Sequence, residues 1–405
     1  MRLAAICGVL LPCVAAAQSF TQRGFFETRN TLFPEAVDRD SAHYVGEALL
    51  RWEVTWKPRP WLQLNGGFDA RVDSHRQFDR DFRLDFADRG LQRPSLSARR
   101  FSVLVNKGGL TAEAGRQFIR WGKADILNPT DRFAPKDFLN VLSADFLGVT
   151  AARLTYEHGS DTIDAVYQPV FTPSRGPLLN QRWVVPANPY PLDDQGSRLP
   201  GRGNYGLRWN HLARGYEYSF SFFDGVNHLP LLDAGFRVSP SPAITLQRYY
   251  ARMRMFGADV AVPLRWFTVK SEAAYFTSST PTADEYALYV IQLERQMGEW
   301  VFVGGYAGEV VTRSRLPFDF APDRGLAKTF LGRASYNLDA NRTVALETAV
   351  RQNAAGMYAK LEYTQSVGDH WRWTVACTLL RGRDSDFLGQ YHRNSNAQLI
   401  LRYSF

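Results

Sequence analysis

Charged side chains at alternating positions are the residues of this sequence best placed to do chemistry. That chemistry would be to bind and sort solutes by charge rather than to break bonds. The densest set is 120–148, where Arg120, Lys123, Arg132 and Lys136 stand against Asp125, Asp131, Asp137 and Asp145, with Arg116 just ahead. The run Asn128-Pro129-Thr130-Asp131 within it has turn and helix-start chemistry, so this stretch can hold a shape of its own. The seven histidines, His43, His75, His158, His211, His228, His370 and His392, fall in loops, turns and strand ends. They have neither Ser-His-Asp nor metal-ligand spacing. No Gly-rich phosphate loop, Cys-His signature or nucleic-acid module occurs. The sequence therefore predicts no catalytic residue, no cofactor, no metal and no nucleic-acid partner.

The elements that must position these charges show a period of two, which sends successive side chains to opposite faces of a strand. Over 62–73, Leu62, Leu64, Gly66, Phe68, Ala70 and Val72 share one face, and Gln63, Asn65, Gly67, Asp69, Arg71 and Asp73 share the other. Similar segments are read at 20–33, 45–56, 61–75, 96–106, 110–119, 149–158, 162–171, 204–212 and 215–224. They continue at 246–262, 265–277, 285–295, 299–311, 328–338, 341–352, 356–366, 369–381 and 395–405. Most approach the ~9 to 11 residues that a tilted strand needs to cross a bilayer. Short turns such as Asn106-Lys107-Gly108-Gly109 and Gly159-Ser160-Asp161 alternate with long links at 76–95, 120–148, 172–203, 225–245, 312–327 and 382–394. Every long link falls on one side, the pattern of an up-and-down transmembrane β-barrel with short periplasmic turns and long extracellular loops. The expected fold is all-β, an antiparallel barrel of about 18 strands. Trp56, Trp61, Trp209, Trp266, Trp300, Trp371 and Trp373 lie near short turns, as an interfacial girdle would. A secreted β-sandwich or propeller also alternates, but it leaves the one-sided loops unexplained.

With hydrophobic residues at 45% and charged residues at 22%, the chain is too polar for a bundle of membrane helices, and its 14% aromatic share excludes a disordered one. Met1-Arg2, the apolar stretch Leu3 to Val14 and Ala15-Ala16-Ala17-Gln18 read as a signal peptide over 1–17, which leaves 18–405 as a single barrel domain. A lipid anchor at Cys13 is the alternative there, but Pro12 stands where a small residue is wanted. Cys377 is then the only remaining thiol, so no internal disulfide can form. Residues 18–44 leave no room for a plug domain.

In its signal peptide, its strands and its final Leu401-Arg402-Tyr403-Ser404-Phe405, the chain resembles the outer-membrane β-barrel porins of Gram-negative bacteria. More narrowly, Gly115-Arg116-Gln117, Trp121-Gly122 and Asn128-Pro129-Thr130-Asp131 resemble a motif of large single-chain, substrate-selective channels, alginate-export-like ones among them. The resemblance implies a cell outer-membrane channel for passive or substrate-selective diffusion of small hydrophilic solutes, anionic or saccharide ones included. It also implies outer-membrane lipid and lipopolysaccharide as surroundings, and recognition of Phe405 by the barrel-assembly machinery. A scaffold for an export or secretion complex, with an open lumen, and an outer-membrane hydrolase are the alternatives.

If the apolar face meets lipid, the polar face lines a lumen. By parity the lining includes Arg51, Asp69, Arg71, Arg100, Arg153, Arg208, Lys270, Arg333, Arg351, Lys360, Arg372 and Arg402. Either these charges neutralise one another across strands, or an excess of bases, in a chain of net charge +8, selects anions. The stretch 120–148 is the candidate constriction, formed by Arg116, Arg120, Lys123, Asp125 and Asp131, with an external packed loop as the alternative. The link 172–203 is a second candidate for an inward fold. Arg116 breaks parity, sharing the face of Leu110, Ala112 and Ala114. Either a bulge near Gly115 turns it inward or it snorkels to headgroups. Arg252 and Arg254 share the phase of Phe256, where a strand overshooting the bilayer would leave them in solvent.

Overall fold

A computed structural model describes residues 19–125, 127–142, 144–179, 181–184, 190–314 and 322–405, and the expected signal segment 1–17 lies outside them. Eighteen antiparallel strands close into a barrel. In chain order they are β1 (Ser19–Leu32), β2 (Tyr44–Arg59), β3 (Leu62–Asp73), β4 (Leu96–Lys107), β5 (Leu110–Gln117), β6 (Val149–His158), β7 (Asp161–Val170), β8 (Asn204–Ala213) and β9 (Tyr216–Val226). They continue as β10 (Arg252–Pro263), β11 (Thr268–Thr277), β12 (Glu285–Met297), β13 (Trp300–Arg313), β14 (Thr329–Asp339), β15 (Arg342–Arg351), β16 (Gly356–Val367), β17 (Trp371–Gly382) and β18 (Asn396–Ser404). Each pairs with its sequence neighbour, and β1 closes the ring on β18 from Phe25↔Ser404 to Leu32↔Ala397. Gly24 and Phe405 exchange two main-chain hydrogen bonds at 2.9 Å that lock the seam. Closure leaves no unpaired strand edge, which is how a sheet can stand in hydrocarbon.

The outer wall is apolar and exposed, with Leu50, Trp52, Phe101, Leu207, Phe220, Phe256, Ile291, Leu361 and Leu399 all pointing away from the lumen. Trp56, Trp61, Trp209, Trp266, Trp300 and Trp371 are exposed near the short turns. Such a wall is stable only against lipid, so the molecule is an outer-membrane barrel. Gly108 (φ +61) makes one of those short turns in a conformation that L side chains resist.

One strand differs from its sequence reading. The run 246–262 divides at Tyr250-Ala251: Ala243–Tyr249 joins a separate sheet with Leu231–Arg237 and Leu192–Ser197, and only Arg252–Pro263 enters the barrel. Alternation continues through the break, so the pairing partners decide it rather than any local signal.

Candidate functional site: the lumen and its inward loop

The loop 118–148 crosses into the barrel and is bonded to the inner wall. Glu272 on β11 is its principal anchor. The Glu272 carboxylate, almost fully buried, accepts from the Thr130 N–H at 2.7 Å, the Thr130 hydroxyl at 2.8 Å and the Lys123 N–H at 3.1 Å. The Ala124 N–H points to the same oxygen as Lys123 at 3.4 Å. On β12, Gln292 accepts from the Asp125 N–H at 3.0 Å. Lys123 Nζ reaches Glu217 at 2.8 Å and Asp259 at 2.9 Å, and Arg208 donates to the Trp121 carbonyl. These bonds satisfy loop donors that would otherwise be stranded away from water.

Packing fixes the same placement. Ile119, Trp121 and Phe133 fill an apolar patch on the inward face made by Val149, Val166, Phe223, Met255, Phe276 and Leu288. Trp121 and Phe133 meet edge to face at 5.1 Å, Phe133 and Phe223 at 5.2 Å, and Trp121 Nε1 donates to Asp164 at 2.8 Å. Two wall glycines make room. A Cβ at Gly206 would come within 2.8 Å of both Trp121 and Phe133, and one at Gly257 within 2.6 Å of Thr130 Cγ2. A second inward cluster brings Leu127 and Val141 of this loop, Trp183 of the 171–203 loop, and Leu388 and Tyr391 against Ala307, Leu331, Ala349, Tyr358 and Leu380. Three loops thus fill the loop-side end of the lumen.

The five residues expected at a constriction separate into two groups. Arg120 and Asp125 present their charges on the loop, whereas Lys123 is mostly buried with its ammonium bound to Glu217 and Asp259 of the wall. Arg120 is about half exposed and lies over Phe146 at 4.2 Å, while Asp125 is exposed and bonded by Lys270 at 3.1 Å and by Gln292. Partial burial opposes the Asp125 charge, but the bonds from Gln292 and Lys270 outweigh it and hold its pKa below the usual carboxylate range. Asp131 is buried and works inside the loop, accepting from the N–H groups of Trp121 and Gly122 and from Arg120 Nε.

Arg116 is buried, so it does not snorkel to headgroups, and no bulge lies at Gly115. Pairing runs regularly through Gly115 and Arg116 on both sides, although Gly115 has φ +119. The bulge belongs instead to β4, where Gly67 pairs with Arg100 and Phe68 with Ala98, leaving Arg99 extra. Because β5 ends at Gln117 as the chain turns inward, the top of β4 loses a neighbour. Leu84–Asp85 fills that edge, pairing in parallel with Leu96 and Ser97. The Arg116 guanidinium lies beneath this patch, donating to the carbonyls of Phe86 at 2.9 Å and Ala87 at 3.2 Å, with Asp88 at 3.4 Å. An arginine of outward phase is thus sealed from lipid by another segment's main chain.

Most lining bases meet acids. Arg51 and Arg71 share Asp69, at 2.7 and 2.8 Å. Arg100 meets Glu113, Arg153 meets Asp164, Arg208 meets Asp259, Lys360 meets Glu362, Arg351 meets Asp386 and Arg402 meets Glu27. Lys270 lies between Asp125 and Glu294. Arg333 and Arg372 are exposed on inward positions and form no ion pair among the described residues. Away from the membrane span, Asp137 of the loop binds Arg93 at 2.8 Å and Arg175 at 2.6 Å. Burial opposes its charge, but these two guanidinium groups hold its pKa well below the ordinary range.

Sequence reasoning missed Gln292, the glycine cradle and Arg99, whose guanidinium lies over Phe118 at 4.6 Å. A usable signal was present. Around 255–258, 273–276 and 288–291 both faces of the strand are apolar, which a water-lined wall would not require.

No family model and no curated protein matches the chain's sequence. By structure it is similar to a BenF-like porin from Pseudomonas fluorescens Pf-5, at a TM-score of 0.56 and 10% identity, covering 96% of this chain and 98% of that one. It is also similar to OccAB4 of Acinetobacter baumannii, at 0.54 and 9%, covering 96% and 99%, and to OpdQ of Pseudomonas aeruginosa, at 0.53 and 9%, covering 96% and 99%. Likeness at this identity is likeness of fold, and the fold is that of the outer-membrane porins.

Proposed function

We propose that this outer-membrane barrel is a diffusion channel for small hydrophilic solutes, with a preference for anions set at a constriction on the inward loop. The observation that carries the reading is the loop 118–148 held to one wall by Glu272 and Gln292, which narrows a barrel wide enough to conduct water without it. Arg333 and Arg372 on the wall supply positive charge outside any ion pair among the described residues, and Arg120, paired with Asp131, adds a half-exposed guanidinium on the loop. Cationic side chains lining a pore favour anions. Arg120, Lys123 and Asp125 are the residues assigned to the constriction, with Arg116 and Asp131 shaping its frame. Acidic oligosaccharides are the first blockers to screen.

A scaffold for an export complex calls for an open lumen, and the wall-bound loop counts against it. The channel reading is tested by recording the purified, folded protein in a planar bilayer. Discrete open steps support a channel, and silence from protein shown to be folded removes it.

A further inference from the structure

A second charged site lies on the outside of the barrel, on the wall that faces lipid. Asp224 near the loop end of β9 has outward phase, yet it is buried, because three arginines converge on it. Arg254 Nε lies at 2.6 Å, Arg202 at 3.0 Å and Arg252 at 3.8 Å. One carboxylate balances one guanidinium, so the cluster keeps two positive charges. The arginine side chains are about 40 to 60% exposed.

Its height on the wall gives the excess charge a meaning. Phe256 is the next outward residue below Arg254, and Tyr205 pairs beside Asp224, with Tyr167 adjacent to Tyr205. All three aromatics are exposed on the outer wall. Aromatics of this kind mark the boundary between hydrocarbon and headgroups. The arginines stand just above that boundary on the side of the long loops, at the level of outer-leaflet headgroups. Uncompensated arginine is costly in hydrocarbon, whereas at a headgroup layer it gains from anions.

We propose that Arg202, Arg252 and Arg254 form a binding site for the phosphates of an outer-leaflet lipid, the phosphorylated lipid A portion of lipopolysaccharide. Asp224 holds Arg254 in place and leaves the other two guanidinium groups to donate to phosphate oxygens. Bidentate donation is the geometry in which arginine binds phosphate best. The acyl chains would lie along the exposed faces of Tyr205, Phe256 and Tyr167. The site is independent of conduction.

The test measures binding of lipid A to the full chain in detergent micelles, alongside lipid A stripped of its phosphates. The R202Q/R252Q double variant keeps the Arg254–Asp224 pair and so avoids stranding a buried carboxylate. It is expected to bind phosphorylated lipid A about tenfold or more weakly than the wild type, consistent with a few-fold per surface arginine. D224N raises the local charge and is expected to bind at least as tightly as the wild type, a direction that general damage to the fold would not give. Phosphate-free lipid is expected to bind weakly to all forms. Equal binding by the wild type and the double variant, or equal binding of the two lipids, would overturn the proposal. Channel conductance, recorded on the same preparations, is expected not to change, so failure of this site and failure of the channel reading are separable.

Discussion

The Glu272 carboxylate takes both the main-chain N–H and the hydroxyl of Thr130, at 2.7 and 2.8 Å, joining residues 142 positions apart in the chain. That one side chain ties the tip of the inward loop to the far wall. The loop's position in the lumen is therefore a consequence of a few identifiable bonds.

Replacing Glu272 by alanine removes the acceptor of every one of those bonds and strands the N–H groups of Thr130 and Lys123. The expected stability loss is about 2 to 4 kcal/mol, because buried donors without partners are costly. The freed loop should widen the channel and expose Arg120 and Lys123 to trypsin. Single-channel conductance and proteolysis of the folded protein check this, and wild-type conductance together with intact resistance would count against the loop as the constriction.

Gly206 tests the packing half of the same attachment. In G206V the new side chain meets Trp121 and Phe133, and the expected cost is about 1 to 3 kcal/mol. The cost should shrink in a W121A background, where the part of the collision that falls on Trp121 is relieved while Phe133 and the Phe222 carbonyl remain, and thermal unfolding of the four proteins in a double-mutant cycle measures that coupling. Additive effects would mean that the loop does not press on this glycine.

Acid should weaken the loop end of the barrel. Burial pushes the pKa of His228 down to about 4, with Arg132 repelling its charged form and a bond to the Thr172 carbonyl opposing only in part. Its unfolded value is about 6.5, so between those limits the unfolded chain binds more protons than the folded one. Stability contributed here is present above the unfolded value and is lost as pH falls toward 4. Thermal unfolding of the wild type and H228Q at pH 7 and 4.5 should show a smaller acid-induced drop in the variant, and equal drops would remove His228 from the account.

The strands were legible because the signal they carry is local. Leu62–Asp73 alternates in sequence as it does in the wall, and both Arg51–Asp69 and Arg71–Asp69 follow from parity and register. The loop's attachment was not legible in the same way. Glu272 reads by parity as one more lining charge, and nothing near it in sequence shows that its partner is Thr130. Arg116 misled for a related reason: the carbonyls that bury it come from residues 86 and 87, in a segment with no strand pattern of its own. Met255, Phe276 and Leu288 were the overlooked clue, since apolar side chains on a face meant for water need something to cover them.

Whether positive charge in the lumen selects the solute is read from the reversal potential under a salt gradient. Anion preference is expected for the wild type, and a shift toward cations for R333Q/R372Q, two exposed wall positions whose replacement leaves the loop bonds intact. A cation-selective wild type, or a variant with an unchanged reversal potential, would contradict selection by these charges.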